Sequence, residues 1–481
     1  MTNLRNSLWA ASTAIFFTGS RFLLTAILAR RLTQDAFGQY AYTQWLVDIG
    51  FLVCTFGITG VIGRYIAEYR HEPALVAAIM RRWRPFSLGL PFIGAVVAMV
   101  GGWLTGLTFS PQTYGYMLCW GLGAGLWGMQ TAALTGLQRF DLIFKANLLA
   151  AAIMLVGVFT VPITAADPTP VFAIMALAGF AASLIGSSAL AQVAQSSPAG
   201  ISPGLGRQMF TYSINIWITA LLWSLVWSRG EVPVVRAMLG DSAVAQYSVA
   251  LTLYGGAVAG VMLGVGGIAP QITRYLGEGQ PQAALALCRR AMDMQLLLSG
   301  LGALTLIWLA PELMYYGFGQ QYKGSALLLG VLALGLPALA LASHNHYLQI
   351  TTGARYNRNT TLLGVFLLLG FSWVGVSLLG VAGAAWARAL TLLVLGAISF
   401  WVFWSRWRGQ AIGQGSFLTV IGITVLSVLI TQFPEFASLS MRVGAWVLLG
   451  IGLLLFVKDE AKQPVALYLL RLLWSRLRPA R

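Results

Sequence analysis

Long apolar stretches recur along this chain with only short polar breaks between them, and that pattern admits few folds. Each stretch is near or above the roughly 20 residues that cross about 30 Å of hydrocarbon as an α-helix. Lipid offers a backbone N–H or C=O no water to bond, and a helix satisfies those groups within the segment itself. The pattern therefore predicts an all-α, polytopic membrane protein. Fourteen spans are expected, at about 7–29, 38–63, 85–107, 113–136, 144–165, 170–192, 209–234, 243–269, 291–315, 325–350, 360–379, 382–404, 415–433 and 439–457. Composition points the same way, because 58% hydrophobic and 9% charged residues leave too little polar surface for a soluble globule. The first stretch exceeds a signal-peptide core and carries Arg21, so it is expected to stay as a helix.

Two halves of the chain repeat one another. The segment RYIAEYRHEPALVAAIMRR at 64–82 returns as RYLGEGQPQAALALCRR at 274–290, and LTQDAFGQYAY at 32–42 answers to LGDSAVAQYSV at 239–249. A third echo pairs Gly136, Arg139 and Phe140 with Gly353, Arg355 and Tyr356. Ordered repeats in a membrane protein point to paired bundles around a transport site. The expected organisation is an N-terminal lobe at 1–200, a C-terminal lobe at 201–410, a terminal helix pair at 411–458 and a basic tail at 459–481.

Lys and Arg alternate in the way cytoplasmic loops require. With the N-terminus inside, most of the 30 basic residues fall in inner loops or the tail, so both termini are expected to be cytoplasmic. This placement accounts for the net charge of +16 through attraction to anionic lipid headgroups, and nucleic acid is not expected as a partner. In the tail, VALYLLRLLWSRLRPAR sets apolar clusters among arginines at helical spacing, the pattern of a helix lying in the membrane interface.

Several chemistries lack their machinery. The sequence contains no phosphate-cradling G-x-x-x-x-G-K-[ST] loop, no H-E-x-x-H and no G-x-S-x-G. Cys54, Cys119 and Cys288 form neither a disulfide framework nor a metal-ligand spacing, and they are expected as small core residues. No cofactor, metal or enzymatic activity is expected. Transport would draw on an ion gradient, the membrane potential or the substrate's own gradient.

Ionisable residues inside spans carry the remaining information, because a charge in hydrocarbon needs a partner or a hydrated cavity. Arg21 and Asp48 lie equally far from the turn at Gln34 and Asp35, so a helical hairpin puts them at one depth. They are expected as an ion pair, either locking two helices or serving substrate or a coupling ion. In the seventh span Arg229 and Glu231 precede Pro233, a residue able to break a helix at a site, although an arginine near the interface can also snorkel to water. Arg388 in the twelfth span is a further cavity candidate. His344 and His346 are two apart on a helix and face different sides, which suits packing or an interface better than a shared metal. Gly256, Gly260 and Gly264 have the spacing of a close helix crossing. Trp217, Trp223 and Trp227 could line a sugar-binding wall or pack against lipid.

The phrases LARRLTQDAFGQYAY at 28–42, VVRAMLGDSAVAQYSVA at 234–250 and YGFGQQYKGSALLLGVLALGLP at 316–337 resemble those of Wzx-type polysaccharide flippases. These belong to the multidrug/oligosaccharidyl-lipid/polysaccharide exporter superfamily. The resemblance implies two six-helix lobes plus a terminal pair in the bacterial inner membrane, with a central cavity. It also implies alternating-access movement of an undecaprenyl-diphosphate-linked oligosaccharide during polysaccharide biosynthesis, with membrane lipids and a glycan polymerase or other assembly proteins as partners. On that view Arg21, Arg229 and Arg388 contact the diphosphate, and Asp48 and Glu231 serve coupling or ion pairing. Where an Asp often precedes a basic residue in the seventh helix of relatives, this chain has Arg-Gly-Glu at 229–231, which leaves an acidic coupling role open. An ion-coupled drug or cation antiporter of the same superfamily would favour an acidic cavity instead. An integral-membrane glycan polymerase or ligase would need a sizeable loop with acidic or histidine groups.

Overall fold

The computed structural model describes residues 2–456 apart from 108, 194–199, 264–267, 353, 407–413, 434–435 and 437. Every regular element among the described residues is helical. The chain divides by packing into two compact units, Met1–Ala245 and Gln246–Arg481. The expected interfacial tail at 459–481, Gly264 and Gly353 lie outside the described residues.

The first unit opens with α1 (Thr2–Arg31), α2 (Gln34–Cys54), α3 (Ile58–Glu68), α4 (Pro73–Leu104), α5 (Pro111–Gly136), α6 (Phe140–Thr160) and α7 (Thr169–Val193). It ends with α8 (Pro203–Ser224), a π-helical turn at Leu225–Arg229, α9 (Val232–Leu239) and the start of α10 (Asp241–Leu263). Starts are set by local chemistry. Thr33, Ser110 and Ser202 each accept from a backbone N–H in the first turn of α2, α5 and α8, and proline opens α4, α5 and α8 where its missing N–H costs nothing. Helices cross closely where a side chain would not fit. A Cβ on Gly50 of α2 would lie 2.4 Å from the Gly94 carbonyl oxygen of α4, and one on Gly179 of α7 would lie 3.0 Å from the Gly123 backbone of α5.

The second unit continues with α11 (Ile268–Gly277), α12 (Pro281–Trp308), α13 (Ala310–Phe318), α14 (Ala326–Ala333), α15 (Ala342–Thr352), α16 (Ala354–Leu379) and α17 (Val381–Arg406). The terminal helices are α18 (Gln414–Ile430) and α19 (Leu439–Phe456). At its centre α12 buries Asp293, Gln295 and Ser299 along with its apolar residues. Glu312 of α13 accepts a charge-assisted contact from Arg442 of α19 at 2.9 Å.

The repeated phrases build matching pieces. In the first unit α3 ends at Glu68 and Pro73 opens the long α4; in the second α11 ends at Gly277 and Pro281 opens the long α12. The shared Arg and Glu of these phrases pair one turn apart in both copies, Arg64 with Glu68 at 3.8 Å and Arg274 with Glu278 at 2.7 Å. Behind each pair lies an apolar cluster, Ile62, Ile66, Val76 and Ile79 in one copy and Ile272, Leu285 and Cys288 in the other. The two copies of the other phrase meet directly. Ser242 donates to Gln34 at 2.9 Å, and a Cβ on Gly38 would lie 1.9 Å from the Asp241 carbonyl oxygen. Arg236 locks this junction by bonding Asp241 at 2.6 Å and lying 4.5 Å over the Tyr42 ring.

Eight helices among the described residues are long and apolar enough to cross a membrane, and the bent pair α2 and α3 makes a ninth. Shorter apolar helices occupy Gly89–Leu104, Phe417–Ile430 and Leu439–Leu455. Two expectations are corrected. Gly256 and Gly260 form no close crossing, since a Cβ on either would meet nothing within 4 Å, so spacing alone misled there. Cys54 and Cys288 are buried, but Cys119 is exposed.

Candidate functional site

The site in the first unit is shaped by a straight helix and a longer segment laid along it. Near its C-terminal end, α2 is touched by the seventh span through Trp217, whose indole N–H donates to the Leu52 and Val53 carbonyls at 3.1 and 3.0 Å. Near its N-terminal end it is touched by Asp241 at Gly38. The segment from Trp217 in α8 through α9 to Asp241, the first residue of α10, therefore runs antiparallel to α2 and touches it near both ends. Between those points α2 uses 15 residues and the segment from Trp217 to Asp241 uses 24. At 1.5 Å per helical residue these are about 22 and 36 Å, so the longer segment has to bow away from the shorter.

Local chemistry interrupts the regular α-helix at 225–231. The backbone N–H of Gly230 reaches back five residues to the Leu225 carbonyl at 3.1 Å, closing a π turn. A side chain at Gly230 would lie 2.1 Å from that oxygen, so only glycine completes the turn. Pro233 then sits in the first turn of α9, where no N–H is needed. The break precedes the proline, and the proline starts the next helix.

Arg229 is the last residue of the π turn and half-buried; Asp48 lies on α2 between the two fixing points and is exposed despite its depth in the helix. Side chains lean toward the N-terminus of their own helix. Because the two segments are antiparallel, Arg229 and Asp48 lean toward each other. Arg21 on α1 is exposed, with its guanidinium 5.5 Å from the Phe17 ring centroid. Arg21 and Arg229 are the charges that act on Asp48, and they act on one another. Arg21 and Asp48 interact electrostatically, and among the described residues no ion pair within 4 Å joins them. Helix α1 packs mainly on α6 and meets α2 in few places, so the hairpin opens before these residues could touch.

Glu231, the residue before α9, is fully buried and adds to the field at Arg229. Arg388 lies on α17 in the second unit, 2% exposed. The structure thus gathers Arg21, Asp48, Arg229 and Glu231 into one unit, and Arg388 belongs to the other.

Some residues of interest were not among the expected site residues. Tyr40 is buried, its ring stacked with Trp120 at 6.3 Å and Phe172 at 6.2 Å, and it shares the electrostatic environment of Arg21, Asp48 and Arg229. Its place eight residues before Asp48, two turns along the helix, was the available cue. Asp293 on α12 is a buried acid, 6% exposed, within one of the expected spans. The Trp217 indole N–H is bonded to α2, while Trp223 is 55% exposed. His346 lies 3.5 Å from the Thr273 hydroxyl, and no group of His, Cys, Asp or Glu among the described residues is arranged to hold a metal.

Among the described residues every regular element is helical, and the architecture has the fold of solved membrane transporters. The architecture is similar to a lipid II flippase, MurJ, in an inward-closed conformation, with a TM-score of 0.63 at 8% identity over 93% of this chain and 97% of that one. It is also similar to an inward-facing multidrug resistance transporter of the MATE family, with a TM-score of 0.67 at 13% identity over 81% and 94%. A transporter of the same superfamily from Pyrococcus furiosus, described as having a binding pocket of reverse polarity, matches with a TM-score of 0.53 at 12% identity over 83% and 94%. No curated protein matches the sequence significantly. Residues 3–275 match the model of the polysaccharide biosynthesis protein family, and the chain belongs to that family.

Proposed function

We propose that this protein flips a polyprenyl-diphosphate-linked oligosaccharide, of the undecaprenyl type, across the bacterial cytoplasmic membrane by alternating access. The observation that carries the reading is that Arg21 and Arg229, in the same unit as an exposed Asp48, act on it electrostatically without forming a direct ion pair with it. A diphosphate cannot enter hydrocarbon unaided, and guanidinium groups compensate its charge with paired, directional donors. Asp48 keeps the arginines solvated and mutually tolerable before the head group arrives. It then competes with the phosphates, which favours release. Arg388 supplies a further cation from the second unit, and Glu231 holds Arg229 in place. The lipid tail stays in the bilayer, so only the head group needs a polar path. The lobes of transport are 1–200 and 201–410, with 411–458 as an added pair and both termini cytoplasmic. Glycan polymerase and other assembly proteins are the natural neighbours of such a step, and the protein itself transfers no bond.

Membership of the polysaccharide biosynthesis family and the likeness to a lipid II flippase support this reading. The test is complementation of a deletion in the native host, scored by lipid-linked repeat units retained on the inner leaflet. Arg21→Ala and Arg229→Ala are each expected to lower export at least tenfold with normal protein levels. Full export by both variants would overturn the assignment.

A further inference from the structure

The second span is broken within its length. Helix α2 ends at Cys54, α3 starts at Ile58, and the two are bent by 61°. Such a break frees backbone carbonyls that water does not reach in a bilayer. Phe56 and Gly57 both have positive φ, 46° and 70°, so the turn is a strained one that its surroundings have to hold.

Those surroundings come from a single face of α8. Trp217 donates its one N–H to Leu52 and Val53, and Ser213 donates to the Phe56 carbonyl. Phe56 and Trp217 rings lie 4.8 Å apart. A Cβ on Gly57 would lie 2.3 Å from the Ser213 oxygen, and one on Gly60 would lie 2.6 Å from Ile216 Cδ1. One turn further back, Met209 and Tyr212 sit on the α3 cluster, with Arg64 4.4 Å over the Tyr212 ring. Residues 209, 212, 213, 216 and 217 recur at helical spacing, so this is one continuous strip. The strip is apolar except at two places, and those two places meet the freed carbonyls.

Beyond this strip the same span carries the π turn that ends at Arg229, whose charge acts on Asp48. We propose that the seventh span is a strap over the Asp48 site, and that its foot, Ser213 and Trp217, seats on and leaves the break in the second span to enclose and release the head group. A seated foot satisfies the freed carbonyls and holds Arg229 opposite Asp48. An unseated foot exposes them and opens the bow from one side. The inference rests on the functional reading given above for the purpose of opening, while the seating itself is independent of substrate.

The experiment uses the full chain in native membranes, with Cys54, Cys119 and Cys288 replaced by alanine. Gly60→Cys with Ile216→Cys forms one cross-linkable pair, and Phe56→Cys with Ser213→Cys a second. Oxidation is expected to cross-link either pair in the resting protein, to abolish export in the native host, and to be reversed by reductant. Trp217→Phe keeps the ring and loses the N–H, and is expected to lower the cross-linking rate of the first pair threefold to tenfold, the range for one lost hydrogen bond. Trp217→His, which restores a ring N–H, is expected to recover part of that rate, as a merely space-filling role would not. Full export by cross-linked protein, for both pairs, would overturn the proposal. So would an unchanged cross-linking rate in Trp217→Phe. If cross-linking blocks export while Arg21→Ala and Arg229→Ala export normally, the strap stands and the diphosphate assignment falls. The opposite pattern removes the strap and leaves the assignment.

Discussion

Gly57→Ala offers the sharpest test of how the second and seventh spans depend on each other. The added methyl carbon would lie 2.3 Å from the Ser213 carbonyl oxygen, 2.8 Å from Ile216 Cγ2 and 3.0 Å from the Trp217 nitrogen. Ordinary contact begins at 3.4 Å, so α8 has to retreat by about 1 Å, and a backbone oxygen has no rotamer with which to move aside. That retreat takes the Trp217 bonds from 3.0 and 3.1 Å to about 4 Å, past the limit for a hydrogen bond. The Ser213 bond to Phe56 is strained in the same motion. Two or three bonds at a net 1 kcal/mol each, plus about 1–2 kcal/mol for a side chain in the left-handed region, come to about 3–5 kcal/mol. For a unit of this size the loss corresponds to roughly 10 °C in the unfolding midpoint. The assay is thermal unfolding of purified protein in detergent, followed by tryptophan fluorescence, alongside export in the native host. Gly115→Ala is the control, because a Cβ there meets nothing within 4 Å and alanine favours the helix by about 0.5–1 kcal/mol. If Gly57→Ala matched Gly115→Ala in both assays, the break would not depend on close contact with α8.

Two further predictions follow from charges. Asp48→Asn removes one of the two carboxylates that act on Arg21 and Arg229, so inorganic diphosphate is expected to bind the purified protein more tightly while export slows; unchanged values for both would remove Asp48 from the cycle. Arg442→Ala strands the Glu312 carboxylate, whose side chain is 20% exposed, and is expected to cost about 2–3 kcal/mol after allowance for that exposure. In the same unfolding assay Glu312→Leu combined with Arg442→Leu should recover most of it, because an apolar pair in a membrane helix carries no desolvation cost. A double variant as unstable as the single one would mean that the 2.9 Å contact is not what holds α19 to α13.

The helical character of the chain was legible because it follows from hydropathy and the need to satisfy backbone groups, both of which are properties of sequence alone. The repeat was equally legible, and it proved physical: Arg64 with Glu68 and Arg274 with Glu278 are the same bond made twice. Glycine spacing was less informative. Gly256 and Gly260 have the interval of a helix crossing without the neighbour that would make one, whereas Gly50 and Gly94 cross closely from separate helices with no shared motif. An interval describes one helix, but a crossing belongs to two.

The site shows where that limit bites. Equal distance from a turn placed Arg21 and Asp48 at one depth, and their fields do overlap. The same counting assumed that the helices stay together, and α1 instead follows α6. Trp217 was harder still, because its partners are the carbonyls of Leu52 and Val53, which every residue possesses and no side-chain pattern marks. What makes them available is the break at Phe56 and Gly57, and what makes the break tolerable is Trp217. Cause and support are mutual, and they are separated by 160 residues of chain. A transporter needs such arrangements: if the seventh span were held by apolar packing alone, it could slide by degrees. Carbonyls that are either bonded or not give the strap two distinct positions, which is the property a gate over a charged site requires.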